Sequence, residues 1–202
     1  MRIRVSPFFV LLLAAFLYVD GTGFALLLLL AAAMHEAGHL VALKGCGVGI
    51  EEVSFRAFGI EMITGDTRYL PYRSELAIAV AGPAANLFAM LVTLGIVAAV
   101  GPFWGALFFV FCNAALAVVN LMPVAGLDGG RMLAAVLMPW LGPPRAERIL
   151  AVVSAIFSAL VAGAGLWLLW VTKYNFSLAM IGAYLIARRA FGPAPLLQKC
   201  SL

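Results

Sequence analysis

Long apolar runs follow one another along most of this chain, and short breaks of glycine, proline and charged residues separate them. A helix needs about 20 apolar residues to cross a bilayer, so 202 residues can hold six spans and little else. Hydrophobic residues make up 65% of the chain and charged residues 11%, which excludes an ordinary soluble domain and argues against disorder or nucleic-acid binding. We therefore expect an all-α polytopic membrane protein with six transmembrane helices in a single domain over residues 1–202.

The basic residues between the runs predict a topology. Twelve of the thirteen Lys and Arg residues fall on one side of a six-span arrangement, and Lys173 alone falls on the other. The positive-inside rule places the twelve in the cytoplasm, so both termini are expected there and the basic charge requires no acidic partner. The first run follows Arg2 and Arg4, and a cleaved signal peptide is its alternative interpretation. The predicted spans are Pro7–Val19, Phe24–Leu43, Leu76–Val100, Phe103–Met122, Ile149–Val171 and Phe176–Ala187.

The interval from Gly49 to Leu70 is too polar to cross a membrane and has no helical period. Apolar and polar residues alternate on both sides of Ala57 and Phe58, which predicts two short strands with a break in register between them. We expect a small membrane-associated β-hairpin between the second and third spans. This hairpin either stabilises the bundle or receives an extended peptide at a strand edge.

An H-E-x-x-H motif, from His35 to His39, lies inside the second apolar run. Residues four apart share a helix face, so both imidazoles can reach one metal ion while Glu36 acts on its water. These are the only two histidines of the chain, and ionisable groups inside a membrane span usually mark function. The spacing therefore predicts a zinc hydrolase rather than two histidines packed in a core.

A catalytic zinc normally has three protein ligands and an open position, so a third ligand must come from elsewhere. Of nine acidic residues, Asp20 falls on the far side of the membrane and Glu36 is the expected base. Asp128 stands out because it follows an apolar run on the cytoplasmic side and precedes Gly129 and Gly130, which allow a sharp turn. The alternative role for Asp128 is the N-cap of the helical segment that begins at Gly129.

Three segments together resemble the signatures of a known family. They are His35 to His39, Ala81-Gly82-Pro83-Ala84-Ala85-Asn86, and the stretch from Asn120 to Arg131. In order and spacing they are similar to the three motifs of the site-2 protease family of intramembrane zinc metalloproteases. The resemblance is greatest to compact, six-span members that process membrane-bound transcription-factor precursors, such as sporulation factors. We expect neither a PDZ insertion nor a CBS domain, because 202 residues leave no room for them.

The resemblance implies a zinc-dependent endopeptidase that cleaves a peptide bond within or near a transmembrane segment of a membrane-bound protein. Its catalytic core would cover residues 24–131, within one transmembrane metalloprotease domain. It implies one zinc ion per chain. The ligands it implies are His35, His39 and Asp128, with Glu36 as the general base.

The same resemblance implies that Asn120 and Pro123 bind the substrate backbone and that Asn86 shapes the core beside it or contacts the substrate. An interhelical hydrogen bond is the alternative role for both asparagines. The expected partners are the transmembrane substrate, the lipid bilayer and regulatory membrane proteins, with no nucleic acid. The expected location is the plasma membrane of a bacterium or archaeon, with the active site toward the cytoplasm.

Two other functional classes compete with this interpretation. A zinc transporter can also place His and Asp in a membrane core, but alternating access usually leaves internal repeats, and none is visible here. A non-catalytic scaffold that binds transmembrane segments has no need for an intact H-E-x-x-H. A serine intramembrane protease is disfavoured because the sequence contains neither G-x-S-x-G nor a third histidine.

Overall fold

The computed structural model describes residues 2–56, 59–64 and 70–191. These residues form seven helices and three strands, so the chain is mostly helical, as the apolar runs predict. The strands are β1 Arg2–Val5, β2 Ile50–Arg56 and β3 Gly59–Thr64. The helices are α1 Pro7–Val19, α2 Phe24–Gly45, α3 Tyr72–Val100, α4 Ala106–Leu121, α5 Asp128–Leu141, α6 Pro143–Thr172 and α7 Ser177–Phe191.

Three helices of the described ranges, α2, α3 and α6, are long and apolar enough to cross a membrane. Three shorter segments are also apolar, namely α1, α4 and the Ser177–Ala187 part of α7. All six lie where an apolar run predicts a span, and their composition fits a membrane protein. That all six cross the bilayer stays a prediction.

A three-stranded sheet has the order β1-β2-β3. β2 and β3 pair antiparallel, with Arg56 opposite Gly59, and β1 pairs parallel with β2, with Val5 opposite Phe55. The register break expected at residues 57–58 lies outside the residues that the structure describes. β1 is not among the predicted elements, because four residues are too few to show a strand pattern.

The chain divides into two compact units. The first contains the described parts of Met1–Leu70 and Ala81–Val118, and therefore α1, α2, the sheet and most of α3 and α4. The second contains Pro71–Val80 and the described part of Val119–Leu202, and therefore α5, α6 and α7. The apolar core of the second unit has two clusters of buried side chains: Ala134, Met138, Ala146 and Leu150, and Val124, Leu127 and Leu185.

Helices α6 and α7 approach each other backbone to backbone. A Cβ atom added to Gly182 would lie 2.5 Å from Cα of Ala162, and one added to Gly165 would lie 2.5 Å from the nitrogen of Ala179. No real Cβ atom tolerates such distances, so the two glycines make this contact possible. Small residues at helix crossings are a common way to pack helices in membranes.

Candidate metal centre

His35 and His39 lie one turn apart on α2, and both side chains are buried. Their rings meet edge to face with centroids 4.8 Å apart, and the two Nε2 atoms are 3.2 Å apart. Two nitrogens bound to one tetrahedral zinc ion, each at about 2.0–2.1 Å, lie about 3.3 Å apart. The two imidazoles are therefore spaced as two ligands of one zinc ion require.

Asn86 on α3 determines which nitrogen of His35 carries the proton. Its amide nitrogen donates to the backbone oxygen of Ala31 at 3.0 Å and to Oδ1 of Asn113 at 2.9 Å. Both amide hydrogens are thus used, so Oδ1 of Asn86 must accept, and Nδ1 of His35 donates to it at 2.6 Å. Nε2 of His35 then keeps its lone pair, which is the form that coordinates a metal ion.

Two glycines bring the first two motifs together within the first unit. A Cβ atom on Gly82 would lie 2.6 Å from Cε1 of His39 and 2.8 Å from Cε1 of His35. A Cβ atom on Gly38 would lie 2.9 Å from Cβ of Ala85. The space that the imidazole rings occupy beside α3 therefore exists only because residue 82 has no side chain.

Asp128 is the first residue of α5, and its side chain is buried. The N-cap position is taken by Leu127, which makes no side-chain cap hydrogen bond, so Asp128 is not the N-cap that its alternative role requires. The helix dipole and the cation of Arg131, whose Nη1 lies 3.8 Å from Oδ1 of Asp128, both stabilise negative charge at this position. An ionised carboxylate is what a metal ligand requires.

Backbone contacts hold the turn that carries Asp128. A Cβ atom on Gly129 would lie 2.5 Å from the oxygen of Met122, and one on Gly130 would lie 2.7 Å from the carbonyl carbon of Val124. Ser154 on α6 adds a side-chain contact, because its Oγ accepts a hydrogen bond from the nitrogen of Ala125 at 2.8 Å. The paired glycines thus let the start of α5 pack directly on the preceding loop.

Of the other predicted site residues, three are half-buried and Asn86 alone is fully buried. Glu36 is half-buried on α2, and Asn120 is half-buried in the last turn of α4. Pro123 is half-buried, and its carbonyl oxygen lies 3.5 Å from the hydroxyl of Ser154. Asn86 is fully buried, so its contacts favour the role of orienting His35 over the expected contact with a substrate.

Sequence reasoning missed Asn113 and Ser154, which both have 0% exposure. Asn113 bonds the amide of Asn86, and Ser154 bonds the loop before α5. The one available signal was a lone polar residue inside an otherwise apolar run, which in a membrane helix often marks a contact with another helix.

The donor set suits zinc. His35 and His39 in the first unit and Asp128 in the second are each buried, and each has a side chain of a type that binds zinc. Two neutral imidazoles with one carboxylate are a donor set of catalytic zinc sites, which leave a fourth position open for water. The residues present therefore fit the metal that the resemblance implies.

Comparison with known proteins adds independent information. The sequence profile of peptidase family M50 matches residues 97–164. Rip3 of Mycobacterium tuberculosis, named as a candidate zinc metalloprotease, is 31% identical over 185 residues, which cover 79% of this chain and 45% of Rip3. Stage IV sporulation protein FB of Bacillus subtilis is 27% identical over 187 residues, which cover 92% of this chain and 64% of that protein.

The site-2 protease from Methanocaldococcus jannaschii has the same fold, with a TM-score of 0.68 over 99% of this chain and 91% of that chain. The sequences are 21% identical, so this likeness speaks for the fold alone. The resemblance to the site-2 protease family is therefore confirmed. The chain spans about half the length of Rip3, since it covers 45% of that protein.

The three site-2 protease motifs occupy distinct helices. The H-E-x-x-H segment lies within α2, residues 81–86 lie within α3, and residues 120–131 run from the end of α4 through a loop into α5. α3 continues through Pro83 without interruption. Each motif thus contains polar side chains and at least one glycine that packs closely on another segment.

Proposed function

We propose that the chain is an intramembrane zinc endopeptidase of the site-2 protease type. The observation that carries this proposal is the pair of buried imidazoles on α2, whose Nε2 atoms are 3.2 Å apart. A hydrogen bond between two imidazoles has the same spacing, so the spacing supports a zinc site together with the position of Glu36 between the histidines and the resemblance to a zinc protease family. The buried carboxylate of Asp128 completes the proposed set of three ligands.

A zinc ion in this set would supply a Lewis acid and lower the pKa of water toward neutrality. The carboxylate of Glu36 takes a proton from the water that attacks the scissile carbonyl and returns it to the leaving amine. Because Glu36 follows His35 directly on α2, it is close to the ligands without being one of them. Asn86 keeps His35 in the metal-binding tautomer throughout.

The proposed substrate is a transmembrane segment of a membrane-bound protein. Its amides are hydrogen-bonded within a helix, so the segment must unwind locally before water can attack a carbonyl. Asn120 and Pro123 lie half-buried at the end of α4 and in the loop before α5, where we place the backbone of the unwound segment. An edge of the three-stranded sheet could hold that segment extended.

The arrangement in the membrane is part of the proposal. We infer six spans in one domain, with both termini and the catalytic residues toward the cytoplasm of a bacterium or archaeon. The distribution of the basic residues supports this orientation. Regulatory membrane proteins are the partners that would control access of the substrate.

Cleavage can be tested on all membrane proteins of a cell at once. Cells that lack the protein receive the wild type, Glu36→Gln or an empty vector, and the termini of all membrane proteins are sequenced by mass spectrometry. New termini within or beside transmembrane segments should appear with the wild type alone. Glu147→Gln, which changes a carboxylate on α6 outside every motif, should give the wild-type pattern.

The same experiment separates the competing classes. Identical termini from the wild type and Glu36→Gln would contradict the protease and favour a scaffold that binds transmembrane segments. A change in cellular zinc content without new termini would instead favour a transporter.

A further inference from the structure

Asn113 on α4 lies outside all three motifs, yet it is fully buried and bonded at both ends of its amide. Its Nδ2 donates to the backbone oxygen of Phe109 at 2.8 Å. Its Oδ1 accepts from Nδ2 of Asn86 at 2.9 Å. Asn86 in turn accepts from His35 at 2.6 Å. A chain of three hydrogen bonds therefore leads from a backbone carbonyl of α4 to a proposed zinc ligand on α2.

Each bond in this chain fixes the direction of the next. The carbonyl of Phe109 can only accept, so Asn113 must present its amide nitrogen there and its oxygen toward Asn86. Asn86 must then present its nitrogen to Asn113, which leaves its oxygen for His35. His35 must answer with a proton on Nδ1. The Phe109 carbonyl thus fixes, through the two amides, which nitrogen of His35 carries the proton.

A reversed amide at Asn86 would disable the metal site. Its nitrogen would then face Nδ1 of His35, and His35 would have to carry its proton on Nε2, where the lone pair for the metal is needed. Without the acceptor on Asn113, nothing in this chain of bonds opposes the reversal from the α4 side. The Ala31 carbonyl alone would continue to favour the observed orientation.

We propose that Asn113 is a positioning residue that, through Asn86, holds His35 in the tautomer that binds zinc. Burial makes the arrangement strict, because neither amide is exposed and an unpaired buried amide is costly. The inference rests on the proposed function for the identity of the metal. Its structural part, the tautomer of His35, does not depend on cleavage.

The tautomer can be measured directly, because the chain has only two histidines. The full chain is labelled with ¹⁵N-histidine, purified in detergent and treated with a chelator, and His39→Gln assigns the two rings. Nitrogen NMR should show His35 of the wild type protonated at Nδ1. Asn113→Leu should shift His35 toward Nε2 protonation. Asn113→Asp should retain the Nδ1 form, because a protonated Asp side chain donates to the Phe109 carbonyl and keeps an acceptor toward Asn86.

Zinc affinity of the same variants is measured by competition with a chelator. Asn113→Leu should bind zinc at least about tenfold more weakly, the lower limit for loss of a group that orients a ligand. Asn113→Asp should stay near the wild type. The matched control is Thr93→Val on α3, which removes a buried hydrogen bond to the Ala89 carbonyl that does not lead to His35; it should bind zinc as the wild type does.

An unchanged His35 tautomer and zinc affinity in Asn113→Leu would overturn the inference. So would an equal loss of affinity in Thr93→Val, since that would show a general effect of buried polar groups. A wild-type chain that binds no zinc would contradict the proposed function instead, and the NMR result would still decide the role of Asn113.

Discussion

Two buried helix contacts in this molecule are built in opposite ways. Between α2, α3 and α4, polar side chains meet, and Asn86 at the centre uses every hydrogen-bonding group of its amide. Between α6 and α7, Gly165 and Gly182 bring the two helix backbones together. An unpaired buried amide is costly, so the complete pairing of Asn86 on α3 stabilises the contact and at the same time fixes the orientation of the His35 ring.

Glycine occurs in both contacts but serves different ends. Gly82 leaves room for the imidazoles of His35 and His39, whereas Gly182 leaves room for the backbone at Ala162. If this distinction is right, a methyl group at the first position should damage metal binding, and one at the second should damage stability alone.

The largest effect is expected for Gly82→Ala. The added Cβ would overlap both imidazole rings, so we expect most of the bound zinc to be lost. Zinc per chain is measured by plasma mass spectrometry on the detergent-purified protein. The matched control is Gly95→Ala on the same helix, where a Cβ meets nothing within 4 Å. Full zinc content in Gly82→Ala would contradict the claim that Gly82, unlike Gly182, is needed for metal binding.

The next largest effect is expected for Asn86→Leu. Loss of a group that orients a metal-binding histidine typically weakens metal affinity by about 10–100-fold. Competition with a chelator measures the dissociation constant. If zinc affinity were unchanged and only KM for a substrate rose, Asn86 would contact the substrate, as the family resemblance allows, and would not orient His35.

A smaller effect, confined to stability, is expected for Gly182→Ala. The new methyl group would press on the backbone at Ala162, and overpacking of this kind typically costs about 1–3 kcal/mol. Thermal unfolding in detergent should show a lower Tm with an unchanged zinc content. Gly163→Ala, whose Cβ would meet nothing within 4 Å, is the control. A loss of zinc in Gly182→Ala would show that the α6–α7 contact affects metal binding as well as stability.

The smallest effect is expected at Asp20, which is half-buried in the loop before α2. Hydrogen bonds from the Thr22 hydroxyl and then from the Ala25 nitrogen lower the pKa of this carboxyl below its ordinary value. A lowered pKa means that the ionised carboxylate stabilises the fold at neutral pH, and that this contribution is lost as the pH falls through the lowered pKa. The Tm of Asp20→Asn should therefore be slightly below that of the wild type at neutral pH and should equal it in acid. A difference that does not change with pH would contradict this origin.

The positions of the helices could be predicted because each membrane helix corresponds to an apolar run in the sequence. Some helix boundaries could not be predicted in this way. α6 begins at Pro143, six residues before the predicted start at Ile149. Its first turns carry Arg145 and Arg148, and charged residues end an apolar run without ending a helix. Proline at the first helical position also starts a helix rather than breaking one.

The site residues likewise divide into those that the sequence predicts and those that it does not. His35 and His39 are predictable because two ligands on one helix are related by a fixed spacing of four residues. Asn113 is not predictable, because its partner Asn86 lies 27 residues away on another helix and no local pattern links them. Sequence patterns report contacts within an element, whereas contacts between helices require the fold.

Zinc content of three purified chains tests the central claim most directly. We predict about one zinc ion per chain in the wild type and in Glu36→Gln, and a marked loss in Asp128→Ala, since a base outside the ligand set is not needed for binding but a ligand is. Absence of zinc and of any other metal from all three chains would contradict the proposed zinc site and every catalytic role that depends on it.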